Sequence, residues 1–307
     1  MNIQQLEYIV ALDEERHFNR AAKTCNVSQP TLSMMVQKLE EELGIIIFDR
    51  RKKPIVPTPD GERILEYARS VIVSTRAMKQ IRQESEEEPS GVLDVAVIPT
   101  LAPYLIPLFV NSFIRKYPKI KLRISELTTE RIIEKLQQSK IDAGILVTPV
   151  DEASIFEDPL FYEPFWVYTN QMSDKEFVTS EDINTDELWL LEEGHCFRTQ
   201  IFKLCDLKRK TSSQFEYQAG SIETLKKLVD MQEGITILPE LATLQLNEKD
   251  RKKLRRFQHP EPVREVSICT HRNFSKSRLV QCLKEEIIEV IPECLLKNRS
   301  KNLIAIK

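Results

Sequence analysis

The sequence predicts an α/β protein in two parts, a small, mostly helical N-terminal domain followed by a larger domain of alternating strands and helices. Three observations carry this. Apolar residues recur at helical spacing through the first 88 residues. An acidic run broken by Pro89, Ser90 and Gly91 follows. Beyond it, short apolar runs alternate with amphipathic segments.

With 307 residues, 41% hydrophobic and 30% charged, the chain is long enough to bury a full core in two or three domains. No apolar run reaches the roughly 18 residues of a membrane helix, because Asp94, Pro99, Pro103 and Pro107 interrupt the greasiest segment. The opening stretch MNIQQLEYIVALDEERHF carries acids where a signal peptide carries a basic head. The expected residence is the cytoplasm, away from any membrane. Thiols are kept reduced there, so the six cysteines should form no static framework, and any bridge would be transient or redox-sensing. The net charge of −3 points to no particular partner.

In chain order, residues 4–13 read as a helix with Leu6, Ile9, Val10 and Leu12 on one face, and FNRAAKTC, residues 18–25, as a second short one. In NVSQPTLSMMVQKLEEELG, Ser28 suits an N-cap and Pro30 the first turn. Leu32, Met35, Val36, Leu39 and Leu43 keep helical spacing until Gly44. Two helices joined by a turn of about four residues describe a helix-turn-helix. IIIFDRRKKPIVPTP then reads as a β-hairpin, a wing tipped by Arg50, Arg51, Lys52 and Lys53.

Residues 1–88 hold 13 Lys or Arg against 15 Asp or Glu, which is not the basic domain that nucleic acid usually demands. Location matters more than the sum. From Arg16 to Lys53 eight basic residues face four acidic ones, and Glu40, Glu41 and Glu42 sit at the far end of the third helix. Its first turns are therefore open to a major groove, with Gln29, Pro30, Thr31, Ser33 and Lys38 as the candidate DNA-facing set and Arg50 as a phosphate contact. The competing reading is a small helical bundle whose basic hairpin is merely solvated.

Residues 59–88 read as one long helix opened by Pro59 and Asp60. Ile64, Ala68, Val71, Thr75 and Met78 fall at alternating steps of four and three, a coiled-coil seam. Its simplest partner is the same helix of a second subunit, which would present two recognition helices to a two-fold operator. The alternative is that the seam packs on the chain's own core. Strands are then expected at 92–98, 121–124, 141–147, 165–170, 188–192, 215–219, 235–239 and 266–271, with helices such as 130–139 and 276–290 between them. Ligands of open α/β sheets bind at the carboxyl ends of strands, so Thr100 and the segment from Gly194 are candidates to face one crevice.

The segment FNRAAKTCNVSQPTLSMMVQKLEEELGIIIFDRR, with VPTPDG behind it, resembles the LysR-type transcriptional regulators. The match combines Ala21-Ala22, Ser28-Gln29-Pro30, Ser33, Leu39-Glu40, Leu43-Gly44, Phe48, Arg50, Thr58 and Gly61 in register. His17 departs from the family's usual serine, and Pro57-Thr58-Pro59 from its leucine-threonine. The resemblance implies a winged helix-turn-helix over 1–58, a dimerising linker helix and hinge over 59–89, and a two-lobed, periplasmic-binding-protein-like regulatory domain over 90–307. It implies a DNA-binding protein rather than an enzyme, with no cofactor and no metal.

Within that family, IPTLAPYLIP and EEGHCFRTQIFKLC resemble the peroxide-sensing members. This implies hydrogen peroxide as signal, Cys196 as peroxidatic thiol and Cys205 as resolving thiol, with Thr100, Thr129, His195 and Arg198 as their polar surroundings; Thr128 adjoins Thr129. It also implies a dimer of dimers on double-stranded DNA, with RNA polymerase and a thiol reductant as further partners.

The residues agree with a mechanism. Cys196 falls at what reads as the first turn of a helix, where His195 and Arg198 would stabilise its thiolate. Attack on peroxide gives a sulfenic acid that condenses with a second thiol, and Cys205 is the nearest in sequence. Nine helical residues span roughly 13 Å, whereas a disulfide needs Cα atoms within about 7 Å. Oxidation must therefore unwind the segment. On spacing alone two such cysteines are more often buried hydrophobes, and a zinc site lacks a fourth partner. Cys25, Cys269, Cys282 and Cys294 read as structural. The rival functions are a regulator answering a small-molecule coinducer in the crevice and a thiol peroxidase.

Overall fold

The computed structural model describes residues 1–84, 88–170, 175–184, 186–192, 196–205, 220–231, 234–272, 274, 276–297 and 303–304. The chain divides into two compact units, Met1–Glu87 with Gln137–Lys140 and Asn273–Ser277, and Glu88–Leu136 with Ile141–Arg272 and Arg278–Lys307. No helix among the described residues is long and apolar enough to cross a membrane.

The first unit holds α1 (Ile3–Glu15), α2 (Phe18–Thr24), α3 (Gln29–Leu43), the two-residue strands β1 (Phe48–Asp49) and β2 (Val56–Pro57), and α4 (Pro59–Glu84). Local chemistry sets each boundary. Asn2 and Gln5 form a capping box at the start of α1, and Arg16 closes it in the left-handed region at φ 52°. His17 caps α2 by accepting the Asn19 N–H on Nδ1 at 3.2 Å, so the imidazole does there what a serine hydroxyl would do. Ser28 accepts the Thr31 N–H at 3.3 Å, and Gly44 ends α3 at φ 66°. Thr58 caps α4 by accepting the Gly61 N–H at 3.0 Å.

Leu6, Ile9, Leu12, Ala21, Leu32, Val36, Leu39 and Phe48 form the core of this unit, and α4 closes it with Leu65, Ala68 and Ile72. Burying side chains of this size stabilises the fold by about 1.5–3 kcal/mol each. The expected seam of the long helix therefore divides. Ala68 and half-buried Ile64 belong to the chain's own core. Val71 and Met78 are 43% and 64% exposed, beside Tyr67 at 68%. The helix needs one apolar stripe to pack on α1, and that stripe takes two of the five seam positions.

The second unit contains β3 (Gly91–Val97), α5 (Ala102–Lys116), β4 (Ile120–Glu126), α6 (Thr129–Gln137), β5 (Ala143–Thr148), β6 (Ile155–Thr169), β7 (Phe177–Val178), α7 (Cys196–Leu204), α8 (Ile222–Met231), β8 (Ile235–Pro239), α9 (Glu248–Arg251), β9 (Leu254–Phe257), β10 (Val263–His271), α10 (Ser277–Val290) and α11 (Glu293–Lys297). The sheet order is β4-β3-β5-β10-β6-β9-β7, with β8 also on β6. β3 is parallel to β4 and β5, whereas β10 runs antiparallel to β5 and β6. β6 spans 15 residues; its first part pairs with β10 and its last five residues pair with β8. It therefore belongs to two half-sheets, one carrying β3, β4 and β5 and the other β7, β8 and β9.

Two expectations change here. The strand expected at 165–170 is the end of one that begins at Ile155. Residues 188–192 form no strand. Leu188 bridges Ile235, but the Thr236 hydroxyl then takes the Trp189 carbonyl at 3.0 Å, so a side chain replaces the next rung of the ladder. The interrupted apolar segment is α5, which keeps Pro107 inside it because Leu105, Phe109 and Phe113 are fully buried. The strand expected at 215–219 lies outside the described residues.

Candidate thiol site and nucleic-acid interface

Cys196 is the first residue of α7 and is 7% exposed. Thr129, the first residue of α6, faces it. The Thr129 hydroxyl is buried with no hydrogen-bond partner among the described residues, close enough to the Cys196 thiol to favour its anion. Burial pushes the Cys196 thiol up from its ordinary range. The Thr129 hydroxyl, the Arg264 cation and the backbone N–H groups of Phe197 and Cys196 all pull the other way. A helix start does assist the thiolate, as expected, but desolvation outweighs it, so the resting thiol is neutral.

A cation that the sequence did not single out acts on the sulfur. Arg198 donates to the Leu191 carbonyl at 2.6 Å and lies over the Phe202 ring at 5.1 Å. Two residues along a helix is a turn of about 200°, so Arg198 points away from the face that carries Cys196. Arg264 of β10 takes its place, fully buried. Its Nη1 donates to the Thr100 hydroxyl at 3.0 Å, its Nε to Glu163 Oε2 at 2.7 Å, and its guanidinium covers the Phe197 ring at 5.2 Å. Thr100 and the start of α7 thus meet across one arginine. His195 and Gly194 lie outside the described residues.

One helical turn beyond Cys196, Gln200 is fully buried, donates to the Ile304 carbonyl at 2.6 Å and leaves its Oε1 without a partner among the described residues. Cys205 follows the last residue of α7, its N–H bonded to the Ile201 carbonyl at 3.0 Å. Both cysteines are free thiols, and burial pushes Cys205 up to about 11. Cys25 follows α2, Cys269 is buried in β10, Cys282 is buried in α10 and Cys294 is exposed in α11. Among the described residues no cluster of His, Cys, Asp or Glu could hold a metal ion.

Sequence reasoning missed Arg264, Glu163 and Gln200. A signal for the first existed. Arg264 stands in PVREVSICTH, inside an apolar strand read only from residue 266, where a charged residue on a core-facing strand needs a buried partner.

On the first unit, Pro30, Thr31 and Lys38 of α3 are exposed, and Gln29 and Ser33 are half-buried. The Thr31 hydroxyl is shared with Ser28 at 2.7 Å. Arg50, expected at a phosphate, is paired within the protein. Its Nη2 donates to Glu40 Oε2 at 2.7 Å and its guanidinium lies over Phe18 at 5.5 Å. Glu40 Oε1 accepts the N–H groups of Ile47 and Phe48 at 2.8 and 3.1 Å. Arg50 therefore braces the wing against α3 through a charge-assisted bond to a half-buried carboxylate. Lys52 and Lys53 are exposed at the wing tip, with Arg51 at 3.2 Å from Asp49.

Residues 3–62 match the bacterial regulatory helix-turn-helix proteins of the lysR family, and residues 86–292 match the LysR substrate binding domain. The chain is 36% identical over 271 residues to the hydrogen peroxide-inducible genes activator of Dickeya chrysanthemi, covering 87% of this chain and 88% of that one. It is 35% identical, at the same coverage, to the DNA-binding transcriptional dual regulator OxyR of Escherichia coli K12. Among solved structures it is similar to a full-length OxyR variant from Pseudomonas aeruginosa, with a TM-score of 0.77, 35% identity, and 95% and 99% of the two chains covered. It is also similar to a mutant of Corynebacterium glutamicum OxyR with hydrogen peroxide bound, with a TM-score of 0.60, 26% identity, and 94% and 92% covered. With both halves matched along nearly its whole length, the chain belongs to the LysR family of bacterial helix-turn-helix regulators.

Proposed function

We propose that this regulator responds to hydrogen peroxide, with Cys196 as the reacting thiol and Cys205 as the resolving one. The observation that carries it is the buried setting of Cys196 at the start of a helix, with the Arg264 cation over the ring of the next residue, Phe197, and a second free thiol at the other end of the same helix. The names of the relatives at 35–36% identity support it.

The chemistry balances with peroxide as the oxidant. Thiolate sulfur attacks one peroxide oxygen, the O–O bond breaks, and the leaving hydroxide takes a proton to become water. The sulfur, oxidised by two electrons, is a sulfenic acid. Attack by Cys205 forms the S–S bond and releases a second water. A dithiol reductant restores the two thiols. Desolvation keeps the resting thiol neutral, so the proton must leave as peroxide binds, and Arg264 favours the anion that results. Nine helical residues part the two sulfurs by roughly 13 Å, so α7 must unwind before they bond. That order-to-disorder step is the signal.

On the DNA side, α3 enters a major groove with Gln29, Pro30, Thr31, Ser33 and Lys38, while Lys52 and Lys53 neutralise phosphates. The working boundaries are a DNA-binding domain over 1–58, a linker over 59–89 and a regulatory domain over 90–307. The protein acts in the cytoplasm as a dimer of dimers on a two-fold site in double-stranded DNA and recruits RNA polymerase. Two substitutions test the thiol assignment. Cys196→Ser abolishes the peroxide response, whereas Cys205→Ser still reacts and stalls at a sulfenic acid that dimedone traps. Equal reactivity of the two variants returns the coinducer reading, and sustained turnover with a reductant returns the peroxidase.

A further inference from the structure

Glu163 takes no part in the chemistry above, yet it is as deeply buried as any charged group in the protein. Glu163 and Arg264 both have 0% side-chain exposure. Arg264 Nε and Nη2 each reach Glu163 Oε2 at 2.7 Å, and Glu163 Oε1 accepts the Leu241 N–H at 2.7 Å. Nη1 and Nη2 also donate to the hydroxyl and the carbonyl of Thr100 at 3.0 and 3.3 Å. A buried ion pair is weak evidence of stabilisation, since apolar replacements are often neutral or better. What this pair does is fix a position. Its guanidinium covers Phe197, the residue next to Cys196, so the place of the cation sets the field at the sulfur.

We propose that Glu163 is a positioning residue for the peroxide reaction: it holds the Arg264 guanidinium at the start of α7 and tempers the positive field that reaches Cys196. This rests on Cys196 being the reacting thiol. The carboxylate turns a full cation into a dipole as seen from the sulfur. The other titratable groups around the pair are Tyr104, which feels both charges, and Glu240, which feels Glu163. The groups that favour the anion at the thiol are Thr129, Arg264 and the N–H groups of Phe197 and Cys196.

The test uses the full chain carrying Cys205→Ser, so that Cys196 is read alone. Two rates are followed by mass spectrometry, alkylation of Cys196 by iodoacetamide against pH and oxidation of Cys196 by hydrogen peroxide. In Glu163→Gln the alkylation midpoint falls by about one pH unit, as a nearby unpaired cation dictates, while the peroxide rate drops about tenfold because the cation is no longer held. General loosening of the fold would move both rates the same way. In an Arg264→Met background, Glu163→Gln changes neither rate by more than about twofold, because no guanidinium is left to hold. An unmoved midpoint, or an equal effect without Arg264, overturns the proposal. Should the unpaired guanidinium prevent folding, Glu163→Asp keeps the charge and shortens the arm: the midpoint stays and the peroxide rate falls, and an unchanged rate overturns the proposal equally. If Cys196 in the parent does not react with peroxide, it is the underlying assignment that fails, and the role of Glu163 falls with it.

Discussion

The side-chain amide of Gln200 holds the backbone of Ile304, with Nε2 donating to the Ile304 carbonyl at 2.6 Å. Ile304 in turn donates its N–H to the Val263 carbonyl at 2.9 Å, next to Arg264. Residues near the end of the chain thus tie α7 to β10. Ending the chain after residue 302 removes this tie and should raise amide exchange across 196–204 in the reduced protein. It should also lower stability by about 1–3 kcal/mol, the scale of a buried hydrogen bond lost. Exchange that stays as slow as in the full chain would show that α7 is held by its apolar face alone.

Cys205 should be unreactive while α7 is intact. Burial moves its thiol from 9.0 to about 11, so at pH 8 its thiolate fraction, and its alkylation rate, should be roughly a hundredfold below that of an unburied cysteine. The sign for stability follows. The folded state favours the neutral thiol, so this contribution is fully present below about pH 9 and is lost as pH rises toward 11. Equal alkylation of Cys205 in native and denatured reduced protein at pH 8 would contradict the buried setting.

Arg50 and the lysines of the wing should separate in a salt titration. Replacing Lys52 and Lys53 by alanine should reduce the slope of log affinity against log salt by about two, with little change in stability. Arg50→Ala should instead cost up to about 1 kcal/mol of stability, since its partner Glu40 is only 11% exposed. A slope that falls for Arg50→Ala and holds for the lysine pair would reverse these assignments.

Gly61→Ala should destabilise the first unit. A Cβ there would lie 2.0 Å from the Ile47 carbonyl oxygen, a backbone atom that also accepts the Thr58 N–H at 2.9 Å. The wing or the start of α4 must shift, at a cost of about 1–3 kcal/mol. Chemical denaturation monitored over this unit measures it, and a midpoint equal to that of the parent would mean that the wing yields without cost.

The exposed face of α4 should mediate dimerisation. Tyr67, Val71 and Met78 are exposed and lie at helical spacing, with half-buried Thr75 beside them. Val71→Asp with Met78→Asp should therefore shift the protein toward monomer in sedimentation at micromolar concentration, because a charge buried in such a seam is costly. An unchanged distribution would move the interface elsewhere.

The features written in local sequence came through. Ser28, Pro30 and Gly44 delimit α3 because capping and left-handed φ are properties of a few adjacent residues. ITILP is β8 to the residue. The placement of Cys196 at a helix start was likewise legible from a handful of neighbours. What the sequence determined by itself was the helix-turn-helix, the long helix that follows it and most of the strands of the second unit. Only the tertiary structure decided which cation faces Cys196, since Arg264 lies 68 residues away and is brought there by the pairing of β10 with β6, whereas the near neighbour Arg198 is turned off by the helix. It likewise tied Arg50 to Glu40 and gave Ala68 to the core rather than to a partner. Long-range pairing chooses among side chains of similar chemistry by distance and desolvation, and neither is written in any short stretch of the chain.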